Sequence, residues 1–318
     1  MHIALIGVGR VGQATAFALA HEPYIDELTL VDIAPGLALA VAEEMRHARA
    51  GMHIPIEVNA FENVDEFSNA DIVVVTAGKP AAPRMGRRVL VETNAKIIKS
   101  IAEVVVPQNP GARYVIVTNP VDALATLFQK VSKASYVISS GCHLDTLRFR
   151  AELAKQLKVP VNNVEGYVAG EHGPNDVFLW STVKLGGESF DEHVKKRNLD
   201  ISKDKIANGV HEITETILEK LGGTMYGPAT AFRDIVRAIA LNTHSLLSVG
   251  TPYKTPEIPE PVHVSIPSKL GMSIGPTIES SLTQEERRGL GEAAKAVHST
   301  YKIAYESSAE SVRGRDKP

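Results

Sequence analysis

Only one cysteine, Cys142, occurs among the 318 residues, so an intrachain disulfide framework is excluded and a reducing compartment is the expected setting. An excess of charge of one sign is also lacking. The net charge of −3 offers no general attraction to a polyanion, and nucleic acid is not expected as a partner. Long apolar runs are missing too. None approaches the roughly 20 residues that a spanning helix needs, and the N-terminal MHIALIGVGRVG is broken by glycines too early for a leader or an anchor. The expectation is a soluble cytoplasmic protein with no membrane partner.

What is present is the balance of a globular chain, with 44% apolar and 22% charged residues. The length suits two domains better than one small core. In the first half, HIALIG, ELTLVD, DIVVVTA, ARYVIVTN and SYVISSG read as short strands. Their near-continuous apolarity implies burial on both faces, as in a parallel sheet between helices. VGQATAFALAHE, LALAVAEEMRHARA and VETNAKIIKSIAEVVVPQ read as helices between them. This strand–helix alternation predicts an α/β fold, a doubly wound parallel sheet of Rossmann type.

The second half predicts an α+β domain for substrate binding and catalysis. Helices are expected near Thr146–Leu157, Lys203–Leu221, Pro228–Ser248 and Thr283–Glu306, and strands near Val164–Ala169, Val177–Leu185 and Val262–Pro267. The expected division is 1–144 for a dinucleotide-binding domain and 145–318 for the second, with 306–318 a loose polar tail.

The first strand runs straight into Gly7-Val8-Gly9-Arg10-Val11-Gly12 and a helix. Gly-rich turns are common, but this one opens a βαβ unit, where glycines let the backbone approach a pyrophosphate at a helix N-terminus. Asp32 closes the second strand, where a carboxylate accepts hydrogen bonds from ribose hydroxyls and repels a 2′-phosphate. Ile33 supplies no compensating charge, so NAD is expected rather than NADP. Three further polar clusters follow strand ends: Asn119 in VTNPVD, Asp145 and Arg148 in HLDTLRFR, and His172 in AGEHGP. In an open α/β sheet such clusters converge on the crevice outside the carboxyl ends of the strands.

Taken in order, GVGRVG, Asp32, the TAG of Thr76-Ala77-Gly78, an arginine-bearing loop, TNP, LDTLRFR and GEHG resemble the lactate/malate dehydrogenase family over nearly the whole chain. Within that family the chain is most similar to the lactate-dehydrogenase-like malate dehydrogenases. The resemblance implies that His172 is the general base toward a 2-hydroxy acid, a role suited to a group titrating near neutrality. It implies that Asp145 orients the imidazole and that Arg148 grips the substrate carboxylate through a planar fork. Arg87, counted back from Asn94 in VETNAK, matches the arginine that a closing loop brings to the carbonyl. Arg88 is then left to solvent or the hinge. Asn119 is implied beside the nicotinamide and the reacting oxygen. Val117, Asn94 and Ser140 are implied on the cofactor side, and Thr224 near the substrate. The family implies a homotetramer or a homodimer, and no metal.

The chain also departs from the pattern. Malate dehydrogenases of this type carry an arginine for the second carboxylate where Ala81 stands, in PAAPRM, and lactate dehydrogenases carry glutamine there. Either Arg84 supplies the missing charge, or the pocket is relaxed toward smaller or apolar 2-oxo acids. Pro174 follows GEHG where aspartate is common and is expected to stiffen the turn. Arg150 matches one member of an allosteric sugar-phosphate site, but Glu165 replaces its histidine, so that site is not expected. Two rival classes share features with this chain: an NAD-dependent glycosidase with a metal held by Cys142-His143, and a non-enzymatic NAD sensor. Adjacent residues on a strand point to opposite faces and make a poor ligand pair, and the intact catalytic set argues against a sensor.

Overall fold

The computed structural model describes residues 1–80 and 87–313. Its first half alternates β1 (His2–Ile6), α1 (Arg10–Leu19), β2 (Glu27–Val31), α2 (Leu37–Met52), β3 (Glu57–Phe61), β4 (Ile72–Val75), α3 (Arg87–Gln108), β5 (Arg113–Ile116), α4 (Val121–Ser132) and β6 (Val137–Ser139). The chain continues through α5 (His143–Leu157), β7 (Val164–Gly170), β8 (Asp176–Leu185), β9 (Glu188–Ser189), α6 (Phe190–Lys196), α7 (Lys203–Leu221) and α8 (Tyr226–Ala240). It ends with β10 (Ser245–Tyr253), β11 (Val262–Leu270), β12 (Ile274–Thr277) and α9 (Gln284–Arg313).

The strands form one continuous sheet in the order β3-β2-β1-β4-β5-β6-β10-β11-β7-β8-β9, with β12 on β11. From β3 to β6 all pairings are parallel. This is the doubly wound Rossmann arrangement, and strand burial explains it. In β4, Val73 and Val75 join a core covered by α3, α4 and α9, while Ile72 and Val74 join the opposite core under α1, α2 and α8. Both faces of the strand are dry, so the alternation of a half-exposed strand is replaced by an unbroken apolar run. A third core gathers Phe149, Leu153, Val168, Val183 and Ile206 beneath α5, α6 and α7.

Two narrow seams join three blocks of this sheet, β3 to β6, β10 with β11 and β12, and β7 to β9. β6 touches β10 at the single register pair Ser139↔Gly250, and β7 touches β11 at Gly170↔Ser265. The residues beside these seams build the candidate site.

Three expectations are corrected. The helix expected to reach Ser248 ends at Ala240, because Asn242 and His244 adopt left-handed φ of 50° and 53° and turn the chain into β10. The last helix passes Glu306 and runs to Arg313. SSAESVR contains no breaker before Gly314, and the Ser307 and Ser308 hydroxyls fold back on the carbonyls of Ala304 and Tyr305. Cys142 and His143 lie not on a strand but at the N-cap and first residue of α5. The expected 144/145 division falls within the first turn of that helix.

Candidate active site

The first sequence cluster forms a cradle at the β1–α1 junction. Gly7 has φ 94°, open to glycine without strain, and a Cβ there would lie 2.5 Å from the Ala77 nitrogen. At Gly12 a Cβ would meet the Gly7 carbonyl oxygen at 2.1 Å, so α1 packs directly on the turn. The Thr76 hydroxyl locks the same carbonyl with a 2.6 Å hydrogen bond. Gly9 caps α1 with no side-chain acceptor, and no acidic residue occupies its first turn. The helix therefore presents unsatisfied N–H groups and its positive end, which fits a pyrophosphate. Val11 follows in the first turn of α1.

Asp32, next after β2, faces this cradle. Its Oδ2 accepts from the Val8 N–H at 2.8 Å and its Oδ1 from the Ala34 N–H at 2.9 Å, which holds the carboxylate at the strand end. Arg10 projects away from the helix, and its Nη1 donates to the Leu221 carbonyl at 2.7 Å. That bond ties the last turn of α7 to the glycine loop. Thr224 lies in the short turn between α7 and α8.

Thr76, Ala77 and Gly78 follow β4, Val117 and Asn119 follow β5, and Ser140 follows β6. All are thus placed at carboxyl ends of neighbouring parallel strands. Buried Asn94 of α3 ties two of these ends together. Its Oδ1 accepts from the Lys79 N–H at 2.8 Å, and its Nδ2 donates to the Asn119 carbonyl at 2.8 Å. Asn119 precedes a cis proline, and its side chain is exposed.

A second polar cluster is formed by Asp145, Arg148 and His172. Asp145 and Arg148 occupy the first turns of α5, and His172 sits in the β7–β8 turn. His172 Nδ1 is 2.5 Å from Asp145 Oδ2, and Arg148 Nη1 donates to Asp145 Oδ1 at 3.0 Å. Burial alone would push the Asp145 carboxyl up, but His172 and Arg148, through charge and hydrogen bonds, hold it below its ordinary value. The Asp145 charge in turn raises His172 above its usual range, outweighing the burial that opposes it. An ionised Asp145 can only accept, so the neutral imidazole carries its proton on Nδ1 and leaves Nε2 as the basic atom.

Sequence reasoning passed over Asp122, although VTNPVD contains it. It is buried in the first turn of α4, and its Oδ2 accepts from the His172 backbone N–H at 2.9 Å. The signal available was a charged residue at the head of an otherwise apolar helix. Arg88 pairs with Glu92 at 2.8 Å, an exposed i,i+4 contact on α3. Arg150 donates to the Gly166 carbonyl at 2.9 Å and stacks 4.7 Å over Tyr167. Ala81, Arg84 and the side chain of Arg87 lie outside the described residues. Among the described residues, no group of three or more metal-ligating side chains is gathered at one point, and no helix is long and apolar enough to cross a membrane.

Comparison with known proteins identifies the family. Residues 1–137 match the model of the lactate/malate dehydrogenase NAD-binding domain, and residues 142–306 that of the family's α/β C-terminal domain. A malate dehydrogenase of Sulfurisphaera tokodaii is 41% identical over 300 residues, covering 94% of this chain and 95% of that protein. An L-lactate dehydrogenase of Clostridium acetobutylicum is 34% identical over 301 residues, covering 93% and 96%. Among solved structures, MGS-M5, a lactate dehydrogenase from a Medee basin deep-sea metagenome library, superposes with a TM-score of 0.87 at 26% identity, covering 95% of this chain and 98% of that one.

Proposed function

The chain belongs to the lactate/malate dehydrogenase family as an NAD-dependent 2-hydroxy acid dehydrogenase, and from that premise we propose that it is a malate dehydrogenase, interconverting (S)-malate and oxaloacetate. The observation that carries the chemistry is the His172–Asp145–Arg148 array.

In the oxidising direction, His172 Nε2 accepts the proton of the substrate hydroxyl. Asp145 holds the ring through Nδ1 and stabilises the imidazolium that forms, as the acid of a hydrolytic triad does. Arg148 uses one N–H to anchor on Asp145 and directs its remaining N–H groups to the substrate C1 carboxylate. Arg87, brought from the head of α3, polarises the carbonyl oxygen while Asn119 borders it. When bound, NAD supplies the hydride acceptor. The glycine cradle of Gly7, Gly9 and Gly12, with Val11 in the helix turn that follows, receives its pyrophosphate. Asp32 takes the adenosine ribose, Thr76, Ala77, Gly78, Asn94 and Val117 line its course, and Ser140 borders the carboxamide. In reduction, His172 returns its proton to the new hydroxyl.

Dicarboxylate preference rests on Arg84, which follows Ala81 by three residues and offers the charge that Ala81 lacks; Thr224 adds a hydroxyl contact. The similarity to a malate dehydrogenase at 41% identity favours this reading. A specific observation supports a second one: alanine at position 81 neither pairs with nor hydrogen-bonds a carboxylate, which opens the pocket to pyruvate or bulkier 2-oxo acids. Initial rates of NADH oxidation with oxaloacetate, pyruvate and 2-oxoisocaproate decide. A kcat/KM for oxaloacetate about a hundredfold above pyruvate, or ~2.7 kcal/mol of discrimination, fits malate dehydrogenase. Comparable values overturn it. Arg84→Ala then loses on the order of 2–5 kcal/mol of oxaloacetate transition-state binding. We further propose a cytoplasmic homotetramer, or a homodimer, serving the tricarboxylic acid cycle; light scattering on eluted protein reads the assembly.

A further inference from the structure

We propose that Asp122 is a second acidic support of His172, a positioning residue that grips the histidine's main chain and places a second negative charge beside it. The inference rests on the functional reading above, since it gives His172 the proton-transfer role.

Three elements converge on this carboxylate. Asp122 stands in the first turn of α4, where the helix N-terminus favours negative charge. Its Oδ1 accepts from the Ser139 hydroxyl at 2.5 Å, and its Oδ2 accepts from the His172 N–H at 2.9 Å. Ser139 is the last residue of β6, and its register partner Gly250 belongs to β10. A Cβ at Gly250 would lie 2.0 Å from the Ser139 oxygen and 2.7 Å from Asp122 Oδ1. The space a side chain would need is filled by the Ser139–Asp122 pair.

The arrangement has a chemical sense beyond packing. Asp145 fixes the ring of His172 but leaves the main chain of the β7–β8 turn to be held by something else. Asp122 holds it from a helix of the NAD-binding domain. One hydrogen bond thereby links the main chain of His172 to the first turn of α4.

The charge acts on the same histidine. Around it stand Asp145 and Arg148 from α5, Asp122 from α4, and Asp176 at the head of β8. Asp122 is faced by Ser139, by the His172 N–H and by the neighbouring carboxylate of Glu171. On β11, His263 bonds to Thr126 of α4, and burial lowers it to about 4, so it is neutral in the working range. Burial pushes Asp122 up to about 6 against the two hydrogen bonds it accepts, so it is largely ionised at neutral pH.

Asp122→Asn separates charge from geometry. The amide oxygen still accepts from His172, and the amide N–H donates to Ser139, so only the charge is removed. Reduction of a 2-oxo acid needs the imidazolium, so the alkaline limb of kcat/KM reports His172. In Asp122→Asn this limb moves to lower pH by about half a unit or more, with NADH affinity by fluorescence titration unchanged. An unmoved limb, or a parallel loss of NADH binding, overturns the proposal. If Asp122→Asn does not fold, Ser139→Ala carries the test. It removes one of the two donors that fix the carboxylate, and kcat falls about threefold or more at constant NADH affinity; an unchanged kcat overturns the proposal. If the wild-type protein reduces no 2-oxo acid, the functional reading fails by itself. The NMR titration of the His172 ring in wild type and Asp122→Asn then supplies the same comparison, a lower value in the variant supporting the proposal and an equal one overturning it.

Discussion

Replacing Asp145 with asparagine tests the core of the site, because both of its oxygens are committed as acceptors. Oδ1 receives Arg148 Nη1 at 3.0 Å and Oδ2 lies 2.5 Å from His172 Nδ1. An amide has one oxygen. If its NH2 faces Arg148, two donors oppose each other and the arginine swings off the substrate carboxylate. If its NH2 faces His172, the ring must accept at Nδ1 and carry its proton on Nε2, which then cannot act as base. Either outcome forfeits at least one charge-assisted hydrogen bond, about 1.5–3 kcal/mol, or roughly 10- to 150-fold in rate. The inverted tautomer costs more, on the order of 10⁴-fold in the analogous hydrolytic triad. The assay is kcat/KM for oxaloacetate and pyruvate reduction in Asp145→Asn, from NADH absorbance across pH. The Asp145 charge is also the main cause that raises His172, so its removal moves the alkaline limb of reduction to lower pH. A variant within threefold of wild type, with an unmoved limb, would refute the reasoning.

Other consequences can be checked in parallel. Asp32→Ser removes the carboxylate that repels a 2′-phosphate, so the ratio of kcat/KM for NADPH to that for NADH should rise about tenfold or more; an unchanged ratio counts against the assigned ribose contact. Gly250→Ala places a methyl against Ser139 and Asp122 and should lower stability by about 1–3 kcal/mol in denaturant unfolding, whereas an unperturbed midpoint means the seam can relax. Burial raises the folded Asp122 carboxyl from 3.8 to about 6. Its contribution to stability is therefore full below about pH 4 and lost as pH rises through about 6, a difference on the order of 3 kcal/mol. Asp122→Asn lacks that dependence, so its melting temperature relative to wild type should climb between pH 4 and 7; a difference flat with pH contradicts the buried charge.

The parallel strands β1, β2, β4, β5 and β6 were readable because burial on both faces leaves unbroken apolar runs such as IVVV. α4 was not, although it forms as surely. Its first eight residues are all buried, so VDALATLF has no polar stripe to announce a helical period. β3 failed for the opposite reason: EVNAF covers one edge of the sheet with only Val58 fully buried. The start of β10, residues 245–248, falls within the expected helix because SLLS continues an apolar pattern that only the left-handed Asn242 and His244 interrupt. Within the site, Asp32, Asn119, Asp145, Arg148 and His172 are legible because their side chains bear the chemistry in clusters that follow strand ends, and Gly7 because it opens a glycine-rich turn between a strand and a helix. Asp122 escaped because it acts on a backbone N–H, and nothing in a neighbour's identity reveals that its main chain is the partner.

The contact of Ser139, Asp122 and Gly250 has a consequence for inheritance and for engineering. Two of these residues come from the first half of the chain and one from the second, yet they fill one another's space. A chimera that joins the N-terminal half of one relative to the C-terminal half of another will fold around His172 only when bulk at position 250 matches what positions 122 and 139 leave open. The junction is a shared lock rather than a neutral splice point, and the three positions are expected to travel through recombination together.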